Sequence, residues 1–401
     1  MPVKKTLKNN RNIIMNIMKG GKYIDEGGFG CVVSPALPCS SKDKNLDKSV
    51  SKITMEDISN ELKISSILHK LDPSKKYYLT FDKYCYMKNI PDNRDDILSV
   101  KFTDDEYTKY EVRDGQTKKN KKACVVDLDL HPVNMIIDYG GYSLSSIMKT
   151  NRKMKGTRAL MHNMFIIHLR DYFKHLVLGM VKMHNNRIVN RDIKQRNIMM
   201  SWNKTNNNVL IRYIDFGLSE LLDTEFCKHI DNINRNGTSV YIAPEIYISA
   251  IIRKYKSRSE HYIIKKISTE IHNNVRKALT RLNEKQALSN LDKNTTLLYE
   301  KILKLFNTDK ILHTYFGNDK HKFNGYIQKS DVYALGYSIF ETLYVHSEID
   351  VKEQTQLYDL LLNMIAFDPD TRYNAVQCLN HPYIQNKKLI HFFKLYSHIN
   401  S

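Results

Sequence analysis

The sequence has no CxxC pair and no cysteine–histidine spacing suited to a metal. Its six cysteines (Cys31, Cys39, Cys85, Cys124, Cys227 and Cys378) are scattered. That pattern argues against a zinc module and leaves reduced, buried thiols of an intracellular protein as the expected state. A long uninterrupted apolar run is missing too. The most apolar longer stretch, Met161 to Met183, is broken by Arg170, Asp171 and Lys174, so a membrane span is not expected. The opening residues are Lys-rich without a continuous apolar core, which argues against a secretory signal. Residues 1–22 hold no acidic residue while carrying Lys4, Lys5, Lys8, Arg11, Lys19 and Lys22, and read as a solvated basic arm.

What is present is enough for a substantial core: 401 residues, 42% of them apolar, in one large two-lobed domain or two smaller ones. The formal charge of +19 suggests acidic partners, such as nucleic acid, an anionic membrane surface or acidic protein substrates. Heavy use of Lys, Asn and Ile makes compositional drift the competing explanation.

The most informative stretch is Ile188 to Gly217. It reads Asn190-Arg191-Asp192-Ile193-Lys194-Gln195-Arg196-Asn197 and then Asp215-Phe216-Gly217. Two carboxylates, an ammonium and a carboxamide at such offsets can hold divalent metal and activate a hydroxyl beside a phosphate chain. The stretch resembles the catalytic loop and metal-binding triplet of eukaryotic-type protein kinases, with Asn190 where that family usually has His.

The remaining chain follows the same order of motifs. Ile24-Asp25-Glu26-Gly27-Gly28-Phe29-Gly30-Cys31-Val32 resembles the family's Gly-rich loop, with Asp25 in place of the first Gly. Glycines there let backbone N–H groups approach phosphates. Lys52 stands on a predicted strand (residues 49–53), and helically spaced Ile58, Leu62 and Ile67 follow. The resemblance makes Glu61 the ion-pair candidate for Lys52, with Glu56 as the alternative. A polar stretch, about 88–122, reads as an insertion. Met135 to Leu144 resembles a kinase hinge, with Ile137 lining the adenine pocket and Asp138 beside it. Residues 165–184 have the period of an amphipathic helix. Gly237-Thr238-Ser239-Val240-Tyr241-Ile242-Ala243-Pro244-Glu245 matches GTxxYxAPE, and the family pairs that Glu with an Arg, here Arg372.

The helix expected soon after Glu245 arrives only at Asp331 to Gly336. The extra sequence between, about 249–322, holds sixteen Lys or Arg against seven Asp or Glu. It reads as two or three amphipathic helices on the second lobe, with basic faces that could dock a partner. The segment after Gly217 is poor in hydroxyls: Ser219 and Thr224 are the only candidates in about twenty residues.

The resemblance implies an α+β, bilobal protein kinase fold with a β-rich N-lobe (23–138) and a mainly helical C-lobe (139–385), flanked by the basic arm (1–22) and a tail (386–401). It implies ATP and Mg²⁺ as cofactors, Asn197 and Asp215 as metal ligands, Asp192 as the base, and Lys194 near the γ-phosphate. Thr238 would hydrogen-bond within the catalytic loop. Ile24, Gly27, Gly28, Phe29, Gly30, Val32, Lys52, Glu61, Ile137 and Asp138 would surround the nucleotide. Lys194 and Thr238 point to serine/threonine protein substrates. Asn190 is expected to donate hydrogen bonds like the usual His while stacking more loosely on Phe216. A pseudokinase scaffold, a binding protein for nucleic acid or anionic surfaces, and a small-molecule kinase are the rival readings. The composition and shortened Lys-to-Glu linker also resemble kinases of large DNA viruses, and an intracellular location is expected.

Overall fold

The computed structural model describes most of residues 22–148, 156–273 and 320–385, with interruptions of which 88–97 and 223–240 are the longest. The chain divides into two compact units, Met1–Ser59 with Leu79–Gly140, and Asn60–Tyr78 with Gly141–Ser401.

The first unit is built on an antiparallel five-stranded sheet ordered β1-β2-β3-β9-β4. Its strands are β1 (Lys22–Gly27), β2 (Gly30–Ser34), β3 (Ser49–Thr54), β4 (Phe81–Tyr86) and β9 (Val133–Asp138). Cross-strand partners share a face. Val32, Lys52, Met135 and Tyr84 form one row across β2, β3, β9 and β4, while Cys31, Ile53, Asn134 and Cys85 form a row on the opposite face. That second face carries a small core of Cys31, Val33, Leu37 and Ile53. The polar insertion forms two ribbons. β5 (Leu98–Val100) pairs with β8 (Cys124–Val126), and β6 (Thr108–Arg113) with β7 (Gln116–Lys121).

The expectation of reduced thiols fails here. Cys39 and Cys85 form a disulfide, with Cα atoms 5.6 Å apart. Cys31 is disulfide-bonded as well. The reason is tertiary: pairing of β4 with β9 carries Cys85 beside the loop that holds Cys39, although 46 residues separate them in sequence. Cys378 is free and buried, as expected.

The second unit begins with α1 (Ser59–Leu71), whose buried face is Glu61, Ile64, Ser65 and Leu68. Sequence placed this helix in the N-lobe, but Ile64, Leu68 and Tyr78 pack in the same core as Phe173, Met180 and Phe216, so it groups with the second unit. The Asp72 carboxylate after α1 accepts the N–H groups of Lys76, Tyr77 and Tyr78 at 3.0, 2.6 and 3.1 Å. Strand β10 (Tyr142–Ser143) and α2 (Leu144–Met148) follow. The predicted helix over 165–184 is two helices, α3 (Thr157–Ile167) and α4 (Leu169–Asn185), separated at His168. Leu169, Phe173, Leu176, Val177, Met180 and Met183 make the buried stripe of α4.

Strand β11 (Ile188–Val189) pairs with β14 (Glu220–Leu221), and β12 (Ile198–Asn203) with β13 (Asn208–Tyr213). Pro244 opens α5 (Pro244–Lys254) at a position where its missing N–H costs nothing. Beyond it, Ile263 and Ile267 are buried in the main core, the part of the expected basic insertion whose packing is described. Residues 274–319 of that insertion lie outside the described residues, as do residues 1–21 of the basic arm and the tail. The unit closes with α6 (Lys320–Leu343), α7 (Val351–Met364), α8 (Ala375–Leu379) and α9 (Pro382–Gln385). A capping box between Asn374 and Gln377 starts α8. No described helix is long and apolar enough to cross a membrane.

Candidate active site

In the first unit, antiparallel register collects several of the expected nucleotide residues. Val32 faces Lys52 across β2 and β3, and Lys52 faces Met135 on β9, two residues before Ile137. Val32, Lys52 and Ile137 therefore share one face of the sheet, each half-buried. Gly27 pairs with Gly30 to close the β1–β2 hairpin, whose tip, Gly28 and Phe29, lies outside the described residues. A bulge between Tyr23 and Asp25 leaves Ile24 out of register. Asp25 is a paired strand residue opposite Val32, within the strand and not at the tip of the glycine loop. Asp138 ends β9, half-buried.

In the second unit, the carboxylate-bearing loops are held by backbone pairing on both sides. Strand β11 delivers Asn190 to Lys194, and a single 3-10 turn, Gln195–Asn197, leads into β12. The Lys194 ammonium donates to both Asp192 oxygens, at 2.7 and 2.9 Å. Asn197 Nδ2 donates to the Asp192 carbonyl and carboxylate, at 2.9 and 2.8 Å. Burial pushes the Asp192 carboxyl up to about 6, against the lowering effect of the Lys194 charge, and the nearby Asp215 charge adds to the rise.

Asp215 is positioned by β13. The Tyr213 N–H donates to the Tyr77 carbonyl at 2.9 Å, the Tyr213 hydroxyl to the Leu176 carbonyl at 2.9 Å, and the Ile214 N–H to the Asn197 carbonyl at 3.0 Å. Asp215 itself adopts a left-handed backbone, φ 63°. A methyl group at Gly217 would sit 3.3 Å from a Glu61 carboxylate oxygen and 3.7 Å from an Asp215 one, so both carboxylates flank this glycine. Glu61 is a buried acid on the apolar stripe of α1. Lys52 belongs to the first unit and Glu61 to the second, and each is placed within its own unit.

A family model for the protein kinase domain matches residues 130–384. The chain belongs to the protein kinase family. Among its relatives are cyclin-dependent kinase E-1 of Arabidopsis thaliana, 23% identical over 63% of this chain and 50% of the relative, and the serine/threonine kinase NLK of Caenorhabditis briggsae, 24% identical over 56% and 30%. The mitogen-activated protein kinase HOG1 of Phaeosphaeria nodorum is 25% identical over 53% of this chain and 51% of its own length. The chain thus spans about half or less of the length of these curated relatives. The expected bilobal α+β class holds: one unit is organised by an antiparallel sheet and the other is mainly helical.

The kinase residues suit a magnesium nucleotide in donor chemistry. Both amide hydrogens of Asn197 go to Asp192, which leaves its carbonyl oxygen as the atom for a cation. With the Asp215 carboxylate this makes a sparse set of hard oxygen donors. Among the described residues no group of three or more His, Cys, Asp or Glu is placed to hold a metal ion.

Asn190 behaves differently from the expectation. Its side-chain oxygen accepts the Asp192 N–H at 3.0 Å, its N–H donates to Asp331 at 2.7 Å, and its carbonyl accepts from the Ser219 hydroxyl at 3.2 Å. It is an acceptor that ties the catalytic loop to itself, as short polar side chains do in turns. The Phe216 ring remains buried and meets Tyr78 edge-on at 6.1 Å.

Asp331 was read from sequence only as part of a helix marker. Fully buried on α6, it accepts the N–H groups of Asn190 and Arg191 at 2.7 and 2.8 Å and faces His184 at 3.2 Å. An acid amid the apolar run Val332, Tyr333, Ala334 and Leu335 was the available signal. Thr238 lies outside the described residues. The expected Arg372–Glu245 pair forms, fully buried and bidentate, at 2.6 and 2.9 Å.

Proposed function

We propose that this kinase is an active serine/threonine protein kinase that transfers the γ-phosphoryl group of ATP to a protein hydroxyl. The observation that carries the reading is the convergence of Lys194 and Asn197 on the Asp192 carboxylate, with Asp215 placed beside the same loop. A pseudokinase has no need to keep these groups in mutual contact.

In this reading Asp192 orients the acceptor hydroxyl and takes its proton. Lys194 sits against Asp192 and would offset charge developing on the transferred group, while its presence two residues after the base favours Ser/Thr acceptors. Asn197 and Asp215 would hold Mg²⁺, which when bound neutralises phosphate charge. Lys52 would hold the α- and β-phosphates and Glu61 would orient Lys52. Val32 and Ile137 supply apolar surface for adenine, while Ile24, Gly27, Gly28, Phe29, Gly30 and Asp138 complete the nucleotide's surroundings. Thr238 would steady the catalytic loop. The charge of +19 favours acidic protein substrates.

The test is phosphoryl transfer from radiolabelled ATP to casein, with Asp192→Asn as the comparison. Loss of a positioned base should lower kcat by about 10² to 10⁴. Labelling that Asp192→Asn leaves unchanged would remove Asp192 from the role of base, and wild type that labels nothing would favour the scaffold reading.

A further inference from the structure

The turn that carries Asp192 is fastened at a residue the reaction itself does not use. Arg191 has a left-handed backbone, φ 66°, a conformation that a non-glycine residue keeps only when its surroundings over-determine it. Its N–H is held by Asp331 at 2.8 Å, and its side chain is 9% exposed and ion-paired to the Glu220 carboxylate. Glu220 comes from β14, directly opposite Val189 on β11, so the strand that delivers the carboxylate is paired to the strand that delivers Arg191. The Leu222 N–H extends that ribbon by donating to the Arg187 carbonyl at 2.9 Å.

A nearly buried guanidinium needs a counter-charge. In kinases a phosphate added to the segment after the metal-binding Asp can provide one, by pairing with arginine. Here a carboxylate already occupies the place. Of the two hydroxyls near the start of that segment, Ser219 is fully buried and spends its Oγ–H on the Asn190 carbonyl. A modifying enzyme would have to pull it out of the core.

We infer that Glu220 is a positioning residue: it supplies Arg191 with a permanent counter-charge, so the loop bearing Asp192 is set without phosphorylation. The inference rests on the reading of Asp192 as the base, and its test separates the two. Glu220 acts through Arg191 and touches no reacting atom. Its removal should therefore loosen Asp192 and lower kcat, while leaving the KM for ATP in place.

The experiment uses the full chain with radiolabelled ATP, Mg²⁺ and dephosphorylated casein, before and after treatment with a broad-specificity protein phosphatase. Treated wild type should keep its kcat within about twofold. Glu220→Gln should lose about tenfold or more in kcat with the KM for ATP within about twofold, and Glu220→Asp should recover most of the loss. Hydrogen exchange supplies a readout independent of catalysis: amides of residues 188–197 should exchange about tenfold faster in Glu220→Gln than in wild type. Wild-type kcat and unchanged exchange in Glu220→Gln overturn the inference. So does a tenfold loss of kcat on dephosphorylation, or a lowered Tm in Glu220→Gln with kcat intact. If Asp192→Asn transfers phosphate normally, the reading of Asp192 as the base falls, and the exchange measurement still decides whether Glu220 holds the loop.

Discussion

Breaking the Arg372–Glu245 pair from its two sides should give unequal losses, and the structure says which is larger. Besides Glu245, Arg372 donates to the carbonyls of Ala366, Phe367 and Lys329 at 2.7, 3.1 and 3.3 Å, and its guanidinium lies 5.1 Å from the Tyr333 ring centre. Glu245→Gln leaves a cation that retains those partners. Arg372→Met leaves a carboxylate in a site with no exposure and strips three carbonyls of a donor. Removing one member of a buried pair costs about 3–5 kcal/mol. The Gln variant should fall at the low end, near 3 kcal/mol, and the Met variant at or above 5 kcal/mol, since each abandoned acceptor adds about 1 kcal/mol or more. In a unit of this size, 3–5 kcal/mol corresponds to a Tm lowered by roughly 6–20 °C. The double variant Arg372→Met/Glu245→Leu removes the stranded charge and should be more stable than Arg372→Met alone.

The assay is equilibrium urea unfolding followed by fluorescence. The chain's single tryptophan, Trp202, packs against the second unit's core and so reports on the unit that holds the pair. A Glu245→Gln variant within 1 kcal/mol of wild type, or a double variant less stable than Arg372→Met, would refute the claim that the pair is a desolvated, mutually compensating unit.

Other outcomes follow from single contacts. A non-reducing digest should yield the peptides of Cys39 and Cys85 joined, and Cys39→Ser/Cys85→Ser should lose about 4 kcal/mol in the chain-entropy account for a 46-residue span; separate peptides would refute the bond. Burial pushes the Cys378 thiol up to about 12, so an alkylating reagent at pH 8 should label it only after denaturation, as read by peptide mapping. Asn190→Ala removes the acceptor of the Asp192 N–H and should cost about 1–2 kcal/mol and lower kcat, measured by urea unfolding and casein labelling. Gly336→Ala would put a methyl 2.7 Å from Met364 Cβ and 3.1 Å from an Ile365 methyl, and this overpacking should outweigh the roughly 1 kcal/mol gained in helix propensity, giving a lower urea midpoint.

The sequence alone determined the order of the motifs, and with it the family. Asp192, Lys194 and Asn197 lie within six residues, so local chain geometry brings them together and spacing reveals them. Val32, Lys52 and Ile137 were expected near the nucleotide from the family resemblance alone; alternation sets the faces of each strand, but the pairing of β2, β3 and β9 that puts the three on one face is tertiary. Tertiary structure decided what depends on long loops. Asp331 reaches Asn190 across 141 residues and Cys39 meets Cys85 across 46, while the Glu245–Arg372 pair, 127 residues apart, was expected from the family resemblance and not from local pattern. Nothing in local pattern selects those partners, since each contact forms only when separate elements pack. Asn190 shows the boundary most clearly. Sequence marked it as an exception in a familiar motif, but only the left-handed turn at Arg191 aims its side-chain oxygen at the Asp192 N–H.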